Sequence, residues 1–283
     1  MTAASNHDRL PLHFHQTFIP ERHYIAALLR YAAGGPRGKP LKEISLITGI
    51  PMGESSGKMP AILDYCRGMG LIYVKEGGNG GPKELRLTPL GRSVVIEDPH
   101  LSEGITQLLC HMNLCRSDFG ADLWFMVFNA GSRILGDCFS EQTLLKYLEG
   151  IYGRKKRSPI GPLLRVYTEY TALEKSGVLR QSGHEIQRIP FSLRDIYVRG
   201  YGAWLISQFQ AHFPKSRQVT TDDFEKAVGL KNIALWSQED YEEFLFAVER
   251  KGLISVDRQM RPFVIMIKVD SVTAWDSVYS DLV

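Results

Sequence analysis

The sequence lacks the features that would place it in a membrane or in an oxidising compartment. No stretch approaches 18 consecutive apolar residues, so no segment is predicted to cross a bilayer. The N-terminal residues 1–14 have neither the basic start nor the apolar centre of a signal peptide. The four cysteines form no CxxC pair, which favours buried, reduced thiols. We therefore expect a soluble, cytoplasmic protein with no membrane partner.

The sequence also lacks the short signatures of enzymes and metal sites. It contains no GxSxG, HExxH or dinucleotide-binding pattern. Residues 53–58 resemble a phosphate-binding loop, but only three residues separate the two glycines, and Met59 follows where Ser or Thr is needed. His13, His15 and His23 have no carboxylate or cysteine at ligand spacing. We predict a non-enzymatic protein with no cofactor and no metal.

What remains is an ordinary globular composition with an uneven distribution of charge. Charged residues make up 23% and apolar residues 44% of 283 residues, enough for more than one domain. The net charge is +3, but residues 151–217 carry twelve basic and four acidic side chains, while 93–150 and 218–283 are each at −5. Such segregation favours a polyanionic partner. Pairing with the acidic segments, within the fold or on a partner subunit, is the alternative.

The prediction of the fold depends mainly on the helix and strand patterns of residues 41–96. Apolar residues recur at helical spacing from Leu41 and stop at Gly49, and a second helical stripe runs from Pro60 to Gly68. Two strands, 71–74 and 85–88, then flank a glycine-rich turn. With 22–33 as a preceding helix, this order predicts a winged helix-turn-helix.

A related pattern occurs twice more along the chain. The sequences CRGMGLIYV, LEKSGVLRQ and VERKGLISV each suggest a helix that ends at a glycine and leads into a hairpin. Further helices are predicted at 103–115, 119–130, 140–152, 163–176, 192–213 and 238–251. We predict a mainly α (α+β) fold in which several winged helix-turn-helix-like modules surround a helical middle. The predicted segments are a winged-helix domain (1–100), a helical middle (101–153), a basic linker with a second helix–hairpin module (154–217) and a third module (218–283).

Basic and polar side chains of the first module and the linker are the candidate contacts to double-stranded DNA. They start the second helix of the helix-turn-helix, lie on the wing, or form the linker. Hydroxyl, amide and basic side chains there could contact phosphates or bases, and the basic ones could neutralise phosphates. A solvated loop, wing or linker is the alternative for each group. The candidates are Ser55, Ser56 and Lys58; Lys75, Asn79, Lys83 and Arg86; and Arg154, Lys155, Lys156 and Arg157.

Residues 13–130 resemble the prokaryotic family called domain of unknown function 4007. The resemblance is carried by FHQTF (14–18) with Arg22, the helix entry and helix at 50–70, LTPLG (87–91), DPHL (98–101), TQLLCH (106–111) and residues 124–129. The sequence departs from the family at 52–59, where the family is closer to GVGKNM, and at Gln107 and Asn113, where the family has tryptophan. These departures leave open whether the groove-facing residues recognise the same target.

The resemblance implies a context more than a reaction. Family members resemble accessory proteins encoded beside DNA phosphorothioation and anti-phage defence genes, often near an enzyme resembling phosphoadenosine-phosphosulfate reductase. This implies a DNA-binding protein that works with other proteins of a modification or defence complex. The alternatives are a protein–protein scaffold with little DNA affinity and a transcriptional regulator of a neighbouring operon. A homo-oligomer is consistent with each alternative, and a regulator would be a stable homodimer.

Overall fold

One arrangement of strands and helices occurs three times in the structure, a computed structural model that describes residues 9–35, 38–53, 57–77, 81–153 and 159–282. Each unit has a short strand, two or three helices and a hairpin, and the second hairpin strand pairs with the short strand. A helical segment precedes each unit. This is the strand and helix order of a winged helix, so the predicted fold class is confirmed.

In the first unit, a single bridging residue takes the place of the short strand. Lys39 exchanges two backbone hydrogen bonds with Lys83, of 2.8 and 3.2 Å. Gly49 ends the second helix with φ of +70°, a left-handed conformation that glycine adopts without strain. The elements are α1 (Arg22–Ala33), α2 (Leu41–Thr48), α3 (Lys58–Gly68), β1 (Ile72–Glu76), β2 (Lys83–Leu87) and α4 (Pro89–Glu97).

Between the first and second units lies a deeply buried helical segment. Every residue of its longest helix from Ile105 to Leu114 is buried, because the other elements pack around it. Predicted residues 119–130 are helical from 122, and the second half is π-helical. The elements are α5 (Gly104–Leu114), α6 (Asp122–Trp124), the π-helical turn Phe125–Ala130 and α7 (Ser132–Leu135).

The second unit begins earlier in the chain than the hairpin pattern indicates. Its first strand precedes the basic residues 154–157, yet it pairs with the last strand of the unit, so strand pairing spans the predicted boundary at 154. The predicted helix 163–176 is wrong in its second half, because the helix ends at Thr168 and Leu173 N–H donates back to the Val166 carbonyl at 2.8 Å. The elements are β3 (Cys138–Ser140), α8 (Glu141–Tyr152), α9 (Ile160–Thr168), the 3₁₀ turn Glu174–Ser176, β4 (Leu179–Ser182) and β5 (Glu185–Arg188).

The third unit has the same sheet order as the second, with the short strand next to the last strand. Its three-residue strand Gln218–Thr220 was not predicted, because so short a run shows no alternation. The elements are α10 (Asp195–His212), β6 (Gln218–Thr220), α11 (Thr221–Val228), α12 (Leu230–Ala234), α13 (Gln238–Arg250), β7 (Ile254–Asp257), β8 (Val264–Ile267) and α14 (Ser271–Asp276).

Helix α10 connects the central helical segment to the third unit and, through α14, to the first unit. It packs against α5, α13 and α14, and α14 in turn packs against α4 of the first unit. Two glycines within this helix allow close packing. A Cβ atom at Gly200 would lie 2.8 Å from the Ile105 side chain, and one at Gly202 would lie 2.6 Å from Leu253. The buried apolar side chains of all three units form one continuous cluster. No described helix is long and apolar enough to cross a membrane.

Candidate nucleic-acid interface

Helix α3, in the position of a groove-reading helix, is largely buried. Its side chains at Met59, Ile62, Tyr65 and Cys66 are fully covered. Tyr65, for example, packs edge-on against Phe14 and Trp124, with ring centroids 4.8 and 6.0 Å away. The side that reaches solvent is a narrow stripe of Pro60, Asp64 and Arg67. A stripe with one proline and one carboxylate is poorly suited to reading base edges in a major groove.

Lys58, the first residue of α3, is engaged with α1. Its Nζ lies 2.7 Å from a carboxylate oxygen of Glu21 and 4.7 Å from the ring centroid of Tyr24. Its side chain is only 19% exposed. A DNA contact by Lys58 would require this ion pair to break. The described contacts of Lys58 therefore stabilise the unit itself.

The hairpin presents basic side chains to solvent, but acidic residues accompany them. Lys75 is exposed and lies opposite Glu84 in the strand register, while Lys83 pairs with Glu76 across the hairpin. The Lys83 side chain is 20% exposed, whereas that of Arg86 is 64% exposed and donates to Glu84. Lys75 and Arg86 are thus the predicted wing residues that are best placed to meet a phosphate backbone.

Seven of the predicted contacts lie outside the described residues. They are Ser55 and Ser56 before α3, Asn79 at the hairpin turn, and Arg154, Lys155, Lys156 and Arg157 before α9. These contacts remain predictions.

The structure adds three exposed cations that the sequence motifs did not indicate. Arg30 on α1, Lys42 on α2 and Arg92 on α4 are exposed, and none makes an ion pair with a described carboxylate. Each lies on the solvent side of an amphipathic helix of the first unit. The apolar spacing of each helix indicates this side, but it does not show which of its cations remain without a carboxylate partner. The first unit therefore carries more unpaired positive charge than predicted.

Part of the basic segment 151–217 pairs within the fold, as the alternative interpretation proposed. Arg199 donates to Asp281 at 3.0 Å, which joins the basic segment to the acidic C-terminal one. Arg188 is 3% exposed and donates to the Ser132 hydroxyl and to backbone carbonyls of Phe128 and Asn232. Burial lowers the pKa of Arg188 to about 10, so it remains a cation at neutral pH. Arg188 thus stabilises a contact between parts of the fold, and Arg199 stabilises one within the third unit, so neither is free to bind a polyanion.

The third unit presents the opposite charge at the equivalent helix. Helix α13 carries five acidic residues and one basic residue, and its exposed side includes Glu239, Glu243 and Phe246. Two of the other carboxylates pair with the hairpin of the same unit, Glu249 with Arg258 and Glu242 with Arg261. This face would repel a phosphate backbone.

Buried titratable side chains meet near the centre of the fold without the access that catalysis needs. The His111 Nδ1 lies 2.5 Å from the Tyr167 hydroxyl, and the Trp124 indole N–H donates to the same oxygen at 2.7 Å. Burial lowers the pKa of His111 well below its usual value, so the imidazole is neutral. Burial raises the pKa of the adjacent Cys115 thiol. Among the described residues, no group of three or more His, Cys, Asp or Glu side chains could hold a metal ion.

Comparison with known proteins identifies the fold. No protein-family model matches the sequence, and no curated protein matches it, so the resemblance to domain of unknown function 4007 has no support from these comparisons. A crystal structure of SspB matches with a TM-score of 0.73 at 14% identity, covering 99% of this chain and 90% of that one. A magnesium-ion-bound SspB structure matches with a TM-score of 0.71 at 14% identity, covering 98% and 89%. At this identity the likeness establishes the fold alone.

Proposed function

We propose that the protein binds duplex DNA through the first winged-helix unit and serves a DNA sulfur-modification or anti-phage defence system. The observation that carries the DNA contact is the set of exposed cations on this unit, Lys75 and Arg86 on the hairpin with Arg30, Lys42 and Arg92 on its helices. The sequence resemblance of residues 13–130 and the whole-chain likeness to the SspB structures support the system.

The burial of α3 decides which kind of DNA contact is proposed. A helix that exposes only Pro60, Asp64 and Arg67 offers few donors to base edges. Exposed lysine and arginine side chains on a hairpin bind phosphates without reading sequence. The proposed binding is therefore weakly sequence-specific and strongly salt-dependent.

Fluorescence anisotropy with a labelled duplex, plain and phosphorothioated, tests the proposal over about 50–300 mM salt. The variant is Lys75→Gln/Arg86→Gln. The matched control is Arg133→Gln/Lys146→Gln, which removes two exposed cations outside the first unit, one from α7 and one from α8. The wing variant should reduce the log–log salt slope by about two, since each phosphate contact contributes about 0.9. The control should leave the slope unchanged.

Two results would contradict the proposal. One is wild-type binding no tighter than about 10⁻⁴ M, the weak limit of non-specific binding at physiological salt. The other is an equal loss of affinity in the wing variant and the control, which would indicate a diffuse charge effect. Preference for the phosphorothioated duplex would connect the binding to sulfur modification. Strand breaks that appear only with Mg²⁺ in the same samples would contradict the prediction that the protein is not an enzyme.

A scaffold function is the second candidate, and α13 is the observation that favours it. Its exposed acidic side chains and Phe246 suit a basic protein surface better than DNA. A partner that co-purifies with the wild type, but not with Glu239→Lys/Glu243→Lys, would support this function. Retention of the partner by that variant would exclude this face as the contact.

A further inference from the structure

A cavity of about 520 Å³ lies where the first unit meets the third. One wall is the free edge of β1, because β2 is its described strand partner and three consecutive residues, Ile72, Tyr73 and Val74, line the space. The opposite walls come from the start of α4, the end of α5, the second half of α10 and helix α14. This volume is within the range of small-molecule sites.

The electrostatics of this cavity favour an anion. The described side chains that line it include two arginines, Arg67 and Arg116, and no carboxylate. Arg116 is 8% exposed and donates to Asp118 through Nε at 2.7 Å. The Arg67 side chain is 43% exposed and forms one ion pair among the described residues, with a carboxylate oxygen of Asp64 at 3.5 Å. The guanidinium of Arg67 is thus available to a ligand.

The start of α4 adds a second positive feature. Thr88, Pro89 and Leu90 line the cavity at the N-terminal end of this nine-residue helix, where the helix dipole favours negative charge. The Thr88 hydroxyl donates to the Gly70 carbonyl at 2.6 Å and accepts from Gly91 N–H, so it fixes the helix start instead of meeting a ligand.

Aromatic side chains complete the walls. Phe119, Tyr73 and Trp275 line the cavity, and the Arg116 guanidinium lies 4.0 Å from the Phe119 ring centroid. Trp275 is 5% exposed, so its indole forms a largely buried part of the cavity wall.

We infer that this cavity binds a nucleoside monophosphate, with the phosphate at Arg67 and the base among Tyr73, Phe119 and Trp275. A planar aromatic group with one anionic end matches aromatic walls beside an exposed guanidinium. Base selectivity should be low. The Asn113 amide is the side chain that could hydrogen-bond to a base edge here. It already donates to the Met69 carbonyl and accepts from the Trp204 indole N–H. The inference is independent of the DNA contact proposed for Lys75 and Arg86.

Isothermal titration calorimetry with AMP, adenosine and inorganic phosphate tests the inference. Wild-type protein should bind AMP about tenfold or more tightly than adenosine, because a hydrogen bond to a charged group contributes about that factor. Arg67→Gln should bind AMP about as weakly as adenosine, and Arg133→Gln should bind like the wild type. Both arginines are exposed, so neither change threatens folding. Trp275→Phe, which retains the aromatic packing, should weaken AMP and adenosine binding alike.

Three outcomes would overturn the inference: no AMP binding at millimolar concentration, equal affinity for AMP and adenosine, or an unchanged AMP affinity in Arg67→Gln. Competition against the labelled duplex identifies the source of the nucleotide. Displacement of duplex by AMP would assign the cavity to a nucleotide of the DNA strand, and independent binding would assign it to free nucleotide. Because the Lys75→Gln/Arg86→Gln variant tests duplex binding separately, failure of one proposal leaves the other measurable.

Discussion

The first and third units share a topology but differ in the helix that a winged helix would present to DNA. In the first unit α3 is buried on most sides, and cations surround it on the hairpin and on α1, α2 and α4. In the third unit α13 is exposed along one side and carries five acidic residues. The same chain path therefore presents a basic surface in one place and an acidic surface in another. Topology alone does not identify the ligand of a winged helix.

The largest expected effect comes from reversing these charges. Lys75→Glu/Arg86→Glu should weaken duplex binding by about a thousandfold at low salt, since it changes four units of charge and each contributes about 1 kcal/mol at contact distance in water. Glu239→Lys/Glu243→Lys in the third unit should strengthen binding, with a steeper salt slope. Anisotropy titrations at matched ionic strength measure both. Equal and opposite effects from the two variants would show that only net charge matters, which would remove the distinction between the units.

The first and third units should also differ in how a buried titratable group makes the stability of the fold depend on pH. In the third unit burial raises the pKa of Glu225 to about 7, while one of its oxygens accepts from Lys231 N–H at 3.0 Å. A carboxyl with a raised pKa in the folded state binds a proton more readily than in the unfolded state. Its contribution to stability is therefore lost as pH rises from about 4.5 to 7, by up to about 3 kcal/mol.

In the first unit burial lowers the pKa of His15 to about 4, where the ring packs against Phe14 and Trp124. The unfolded chain then binds the proton more readily, so stability rises between about pH 4 and 6.5 by a similar amount. Relative to wild type, Glu225→Gln should gain stability as pH rises, and His15→Leu should lose it. Urea unfolding at several pH values measures these differences. Parallel profiles for the two variants and wild type would contradict both assignments.

The helices and hairpins could be predicted because their patterns are local. The helix Arg22–Ala33 and the stop at Gly49 follow from apolar spacing and from glycine in a left-handed conformation. The strands β3 and β6 could not be predicted, because three residues carry no periodic signal and pair only with strands distant in sequence. The ion pair between Lys58 and Glu21 also could not be predicted, because 37 residues separate the partners. The cavity likewise assembles side chains from 67 to 275, a spacing that no motif describes.

The smallest predicted effect distinguishes a structural Lys58 from a DNA-binding one. The starts of α3 and α13 are held differently, α3 by the Lys58–Glu21 ion pair and α13 by a capping box in which Ser237 accepts from Asp240 N–H at 3.1 Å. Lys58→Met should reduce the free energy of unfolding by about 1 kcal/mol, as should Ser237→Ala. In a double-mutant cycle with Glu21→Gln, the interaction energy between the two residues should account for most of the stability that Lys58→Met loses. If Lys58→Met instead leaves stability unchanged and lowers the salt slope for duplex binding, Lys58 belongs to the DNA contact and the ion pair opens on binding.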